Sequence, residues 1–364
     1  MIRDLVARAE SLARGNAWGQ AAPLYARAAV AAMELDELEV ARRAWGAAGE
    51  AFRRDDDLTQ AAQSLRMALG LPCDDQDSQS MDRIRLAGVL GELGNPDGAR
   101  QLCEDALSAL AEGSRVREMA MDSMVGVLLG YPDKESARPL ALALSHTEGD
   151  SRYAGLFRLG QLARLDGELD RALVCFEQVA AAFADRPEAA AGVAAARSEQ
   201  AEVHLLRGDT RPAVEAYEAG MALHKQAGRQ ALMFRSDAGR TRAMTEAGVA
   251  VLTDGLTIGV SFAIARKMAL LEVDLRIARG MATAASDAAR AQADLEAAIR
   301  IADRCQSRMR AGRARYEAAT RLAISDLTKR KFLSLAEGDV AASAPLLARV
   351  RAAKERMDQA ATLR

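Results

Sequence analysis

The chain has 364 residues, half of them hydrophobic, with 49 basic and 51 acidic side chains and a formal net charge of −2. That is ample apolar material for a continuous core, and the balanced charge argues against a surface given over wholly to nucleic acid. Cys73, Cys103, Cys175 and Cys305 lie far apart with no CxxC pair, so they read as small buried hydrophobes of a reducing compartment. Alanine is abundant and aromatics make up only 4%, which favours closely packed helices. The opening stretch MIRDLVARAESLARG is charged throughout and carries no apolar signal core. No run is apolar enough to span a bilayer. The expectation is a cytoplasmic protein with no membrane insertion.

In chain order, Met1–Arg14 predicts an amphipathic helix with Leu5, Ala9 and Leu12 on one face, stopped at Gly15-Asn16. A second helix carries Trp18, Ala21, Tyr25 and Ala28 and runs to Met33. The next hairpin begins near Leu38. It sets Trp45, Ala48, Gly49 and Phe52 on its first helix, turns at Asp55–Asp57 with Asp57 as the cap, and sets Ala61, Leu65, Ala68 and Leu69 on its second. The acidic stretch 73–80, CDDQDSQS, reads as a loop. Its Asp74, Asp75 and Asp77 lack the central glycine and terminal glutamate of a calcium loop, so no metal is assigned.

A third hairpin holds Leu86, Leu90, Ala99 and Cys103, with Pro96 suited to a first helical turn. A degenerate fourth unit, from Arg115 to Leu144, carries Met121, Met124, Val125, Leu128, Ala137 and Ala141 and breaks at Tyr131-Pro132. His146 falls at a helix end. The clearest unit is Tyr153–Ala184. Leu156, Leu159, Gly160 and Ala163 share one side of a first helix, a turn follows at Asp166-Gly167, and Ala172, Phe176, Val179 and Ala180 share a face of the second. Gly160 and Ala172 are expected to face each other. A sixth unit, Glu188–Lys225, places Ala201, His204, Gly208, Ala213 and Tyr217 alike, with His204 packed between helices and its hydrogen bonds satisfied.

The set Leu159-Gly160, Gly167, Ala172 and Phe176 resembles the tetratricopeptide repeat, with Leu156 and Ala163 standing where the repeat has aromatics and its proline displaced to Pro187. The resemblance implies an all-α, right-handed α-solenoid of antiparallel helix hairpins. Ala21, Ala61, Ala99, Ala137, Ala172 and Ala213 are spaced 40, 38, 38, 35 and 41 residues apart, longer than the ~34 of the standard repeat. This spacing is similar to that of extended-repeat adaptors of the kinesin-light-chain-like or SNAP-like kind.

After Gly228 the pattern changes. About six repeats are therefore assigned to residues 1–227 and divergent, continuous helical repeats with a capping helix to 228–364. About sixteen helices in antiparallel pairs, and no sheet, are expected. The apolar stretch 256–277 reads as one helix buried in the stack, or as a surface for a homo-oligomer. Residues 300–331 carry ten basic and three acidic side chains, a local net of +7. Arg308, Arg310, Arg313 and Arg315 lie in this run. It could meet nucleic acid, meet an acidic protein, or form a solvated helix face.

No nucleophile elbow, P-loop or dinucleotide fingerprint occurs. His146, His204 and His224 are isolated, so no catalytic group and no cofactor is assigned. Stacked hairpins make a curved solenoid, and the resemblance implies that the first helices line a concave groove for a protein or peptide partner. The polar positions there are Glu50, Arg53 and Arg54 in the second unit, Gln161 and Arg164 in the fifth, and Ser198 and Glu202 in the sixth. Phe157 is either the apolar anchor, turned away from its own hairpin, or packs on the neighbouring repeat. The function expected is a non-catalytic adaptor. The alternative is a regulatory module that binds nucleic acid or an acidic partner through the basic C-terminal run.

Overall fold

The computed structural model of the protein describes residues 1–130, 133–186 and 189–362. The expected break at Tyr131-Pro132, the displaced Pro187 and the start of the sixth unit at Glu188 lie outside the described residues. Within them the protein is an all-α solenoid with no strand, built of nineteen helices. Successive hairpins are α1 (Ile2–Arg14) with α2 (Trp18–Glu34), α3 (Leu38–Arg54) with α4 (Leu58–Leu69), and α5 (Gln76–Glu92) with α6 (Pro96–Ala109). Next come α7 (Arg115–Gly130) with α8 (Lys134–Ser145), α9 (Asp150–Asp166) with α10 (Leu169–Ala182), and α11 (Ala190–Arg207) with α12 (Thr210–Gln226). The C-terminal part holds α13 (Gln230–Glu246), α14 (Asp254–Ala265), α15 (Ala269–Thr283), α16 (Ala288–Arg304), α17 (Arg308–Arg321), α18 (Asp326–Asp339) and α19 (Ala344–Thr362).

One device makes the turns alike. At ten of them a left-handed residue is followed by one whose N–H reaches the carbonyl five residues back, as in Asp57 to Phe52 and Glu168 to Ala163. This is the Schellman closure of a helix C-terminus. Half of the ten left-handed positions are not glycine but Asn16, Asp36, Asp56, Lys267 and Gln306. Lys267, with φ of 55°, splits the stretch 256–277 into α14 and α15. That stretch is therefore two helices, which is part of why the expected sixteen become nineteen. Its apolar side chains are largely spent inside the chain, Leu256, Val260, Leu271, Leu275 and Ile277 being buried, with Ile258 and Ile264 exposed. The loop expected at 73–80 is shorter than expected, because the Asp75 carboxylate caps α5 through the N–H of Asp77.

Within the hairpins a small residue opposes a large one. The six aligned alanines are fully buried. A Cβ built on Gly160 would lie 2.7 Å from the Phe176 ring and 3.1 Å from the Cys175 Cβ. The nearest side chain to Gly160 is therefore Phe176, one helical turn beyond Ala172. The same contact recurs between Gly49 and Leu65, Gly280 and Leu295, and Gly312 and Val340, at 2.5, 2.9 and 2.5 Å. The packing rule of the early units thus continues past Gly228.

Later hairpins of the solenoid return to touch earlier ones. Asp56, buried at the end of α3, accepts the N–H of Ala231 at 2.9 Å, 175 residues further on. Beside it Arg266 reaches Asp55 at 3.3 Å across 211 residues. Further along, Gly94 sits against Cys305, and Gly167 against Ala344 and Pro345. Arg349 of α19 closes the last turn on Glu246 and on the carbonyl of Leu205, each at 3.1 Å.

These contacts predict opposite signs for two glycine-to-alanine changes. Gly160→Ala must displace the Phe176 ring and should cost about 1–3 kcal/mol. Gly88→Ala, in the middle of α5 with nothing within 4 Å of the added methyl, should gain up to about 1 kcal/mol of helix propensity. Urea unfolding of both variants checks this; equal midpoints would refute the Gly160–Phe176 register.

Candidate functional site

From α3 onward the odd-numbered helices of successive hairpins touch one another and form the inner layer of the solenoid. Charged side chains lace them together at the spacing of the repeat. Arg158 of α9 grips Asp122 of α7 at 2.7 and 3.2 Å. Gln161 of α9 donates to Glu199 of α11 at 2.8 Å, and Arg164 lies 3.0 Å from the same carboxylate. Glu202 of α11 takes Arg242 of α13 and, at 2.6 Å, the hydroxyl of Tyr217. Asp274 of α15 is held bidentately by Arg310 of α17 at 2.8 and 3.0 Å. A similar pair, Arg42 with Asp82 at 2.9 Å, joins α3 to α5.

The layer, with Tyr217 and His224 of α12, lines a half-open cavity of about 520 Å³, within the size range of ligand sites. Its polar wall has six arginines, Arg158, Arg164, Arg235, Arg242, Arg310 and Arg313, against three carboxylates, Glu199, Glu202 and Asp274. Apolar patches come from Phe157, Leu129, Leu206, Leu232, Met309 and Leu346. The charges are strongly coupled. Burial alone would raise the Glu202 carboxyl, but Arg242, Arg313 and Arg164 outweigh it and hold the group well below the usual range. Asp274 is likewise lowered against its burial, chiefly by Arg310. Burial pushes the Tyr217 hydroxyl far up, and Glu202 adds to this. Arg313 is lowered, by burial first and by Arg242 next.

Of the residues proposed from sequence, Phe157, Gln161, Arg164, Ser198 and Glu202 all line this one cavity, and Arg310 and Arg313 join them from α17. Phe157 has two sides. It meets Phe176 edge-on at 5.6 Å, so it packs on its own hairpin as well as facing the cavity. Glu50, Arg53 and Arg54 do not belong to the cavity wall. They form a local cluster on α3, with Glu50 bound by Arg53 at 2.8 Å and by Arg54 at 2.7 Å, and Arg54 stacks over Trp18.

The four arginines of the basic run do not form one patch. Arg310 and Arg313 point inward, whereas Arg315 pairs with Asp303 and Asp339, and Arg308 lies 3.7 Å from Asp339. The local excess of +7 came from counting within a window of sequence, and folding brings in carboxylates from elsewhere. His204 is half-buried with Asp209 at 3.7 Å, too far for a hydrogen bond, so its Nδ1 is not satisfied as expected. His146 does end α8. Among the described residues no three His, Cys, Asp or Glu side chains are placed to hold a metal, and no helix is long and apolar enough to cross a membrane.

Sequence reading missed Asp122, Glu199, Tyr217, Arg235, Arg242 and Asp274. The available signal was opposite charge recurring one repeat apart on first helices: 36 residues for Asp122 to Arg158, 40 for Glu202 to Arg242 and 36 for Asp274 to Arg310. It also missed His224, which lines the cavity, is buried, and has no hydrogen-bond partner at its Nδ1.

The fold is that of solved tetratricopeptide-like solenoids. The crystal structure of a Rap protein complexed with competence and sporulation factor is similar, with a TM-score of 0.63 over 98% of both chains at 12% identity. Two weaker likenesses are a tetratricopeptide repeat protein from Parabacteroides merdae ATCC 43184 and the yeast Tom70. Their TM-scores are 0.39 and 0.30, their identities 15% and 12%. The alignments cover 81% and 100% of this chain and 98% and 90% of those chains. No protein-family model and no curated protein matches the sequence.

His224 gives the cavity wall a pH signature. Burial, then Arg229 and Arg235, pull its pKa from 6.5 down to about 4. The unfolded chain takes up this proton near pH 6.5 while the folded chain resists to about pH 4. Stability from the neutral imidazole is therefore complete above pH 6.5 and is lost as pH falls towards 4. The loss amounts to at most about 3 kcal/mol. His224→Gln should remove this part of the acid destabilisation. Melting both proteins between pH 7 and pH 4 tests it; parallel curves would show that His224 titrates normally.

Proposed function

We propose that this protein is a non-catalytic receptor or adaptor that holds a segment of a partner protein, or a peptide, inside the closed solenoid. An all-α hairpin solenoid of this kind is suited to binding protein through its concave face. The observation that carries the reading is the convergence of Phe157, Gln161, Arg164, Ser198 and Glu202 with Arg310 and Arg313 on one cavity. Apolar anchors beside hydrogen-bonding groups are what a peptide site needs. Amides and hydroxyls such as Gln161, Ser198 and Ser236 can meet a peptide backbone, and Phe157 or Met309 can meet its apolar side chains. The similar Rap protein was crystallised with competence and sporulation factor, and its likeness in fold supports a ligand-holding role here.

This reading narrows the groove. It uses α7, the fifth and sixth units, α13, α15, α17 and α19, and leaves out Glu50, Arg53 and Arg54. Nothing favours nucleic acid, since Arg308, Arg310, Arg313 and Arg315 each lie beside a carboxylate of the chain itself.

Ala195, half-buried and on the cavity wall, offers a direct test. Ala195→Trp should fill the space without disturbing a hairpin core. The parent should capture members of a random octapeptide library. The variant, equally helical and equally stable, should capture them at least tenfold less well. Equal capture would place binding outside the cavity.

A further inference from the structure

The cavity wall has an uneven charge balance. Its six arginines face three carboxylates, and Asp122 behind the wall serves only Arg158. Glu202 is already engaged by Arg242 and Tyr217, and Asp274 by both arms of Arg310. The two arginines left over are Arg313 and Arg235. The nearest carboxylates, Glu202 and Asp274, lie 3.7 and 3.6 Å away, beyond hydrogen-bond reach. The Arg235 Nε is buried with no hydrogen-bond partner. On the same cavity wall is His224, 3% exposed, with its Nδ1 also unpartnered.

Buried polar groups are ordinarily satisfied, and an unpaired buried guanidinium is costly. Two partly buried cations whose ion pairs are longer than hydrogen bonds, a buried Arg235 Nε without a partner and an open imidazole nitrogen on one cavity are explained if something anionic completes them. A guanidinium presents a planar fork of donors that matches a carboxylate, and the electrostatic repulsion between Arg242 and Arg313 would be relieved by a negative charge.

We propose that Arg235 and Arg313, with His224, form a carboxylate-binding subsite, so that the segment held in the cavity is acidic at that point. This rests on the reading of the cavity as a peptide site and names the chemistry it selects. The carboxylate could be an Asp or Glu side chain or the C-terminus of the bound chain, and the guanidinium forks suit either.

The test uses the full chain and pools of random octapeptides. One position is fixed as Asp/Glu, Asn/Gln or Lys/Arg, and each pool is made with a free and with an amidated C-terminus. The parent should hold acidic pools at least tenfold better than basic ones, and the preference should weaken with salt. Loss on amidation alone identifies the terminal carboxylate; loss on changing Asp/Glu to Asn/Gln identifies a side chain. The double variant Arg235→Gln, Arg313→Gln should lose the preference and bind acidic pools at least tenfold less well. It should melt close to the parent, because those cations meet their carboxylates only at 3.6 and 3.7 Å in the free protein. Arg310→Gln, which removes both hydrogen bonds of the Asp274 carboxylate to Arg310, should melt lower.

Capture indifferent to charge, or selective for basic pools, would overturn the subsite. So would acidic capture unaffected by the double variant. If Ala195→Trp still abolishes capture in those cases, the peptide site stands and only its chemistry is wrong. Capture of no pool by the parent overturns both.

Discussion

A single hydrogen bond shows how this molecule is held together. The Asp56 carboxylate sits in a left-handed turn at the end of α3 and receives the first-turn N–H of α13, 175 residues away. A helix N-terminus has orphan N–H groups and a partial positive charge, so a distant carboxylate can cap it. Burial raises the pKa of Asp56, and that hydrogen bond, with Arg229 and Arg266, works against the rise. The contact forms only if every intervening hairpin contributes the right rotation. A stack of hairpins that missed this closure would be an open spiral with a shallow groove. With it, the inner faces of the odd helices are brought opposite one another and enclose a space.

The enclosed space is polar because its wall is built from the ion pairs that join hairpin to hairpin. Removing such charges from water is expensive, and a buried pair is weak evidence of stability by itself. What these pairs provide is register. Asp122 with Arg158, Glu202 with Arg242, and Asp274 with Arg310 each tie neighbouring first helices at one rung. Apolar contacts between alanine-rich faces would allow a helix to slide by a turn at small cost, whereas a slipped rung strands two charges. The ladder thus fixes the rotation per hairpin that the Asp56 contact requires. Its surplus cations, Arg235 and Arg313, are the part that hairpin packing does not use.

Much of the fold is legible in the sequence because local rules repeat. The Gly167 turn, the Asp57 cap and the buried alanines are decided within one hairpin. The errors have the same origin. The repeat pattern pairs Gly160 with Ala172 and does not single out Phe176, one turn further along the same face, as the side chain nearest to it. The stretch 256–277 reads as one helix because its turn residue is Lys267, which gives no turn signal in sequence. The inward positions of α9 and α11 are legible because a repeat pattern tells which residues are spent in packing. Which of them meet across the cavity depends on closure of the whole superhelix. That is a long-range result with no local signature, and it explains why sequence groups Glu50 and Arg53 with Arg164, and why it passes over Asp274 and Arg242.

Closure of the solenoid is the claim on which the cavity depends, and a cross-link tests it directly. A Cβ at Gly167, in the α9–α10 turn, would lie 3.7 Å from the Cβ of Ala344 at the start of α19. That separation is typical of a disulfide. In the double variant Gly167→Cys, Ala344→Cys, mild oxidation of the native protein should join the two positions rapidly and nearly completely, giving a compact species on a non-reducing gel that a reductant reverses. If both thiols stay free and reactive while the protein remains folded, the turns of the solenoid do not meet there, and the enclosed cavity does not exist in solution.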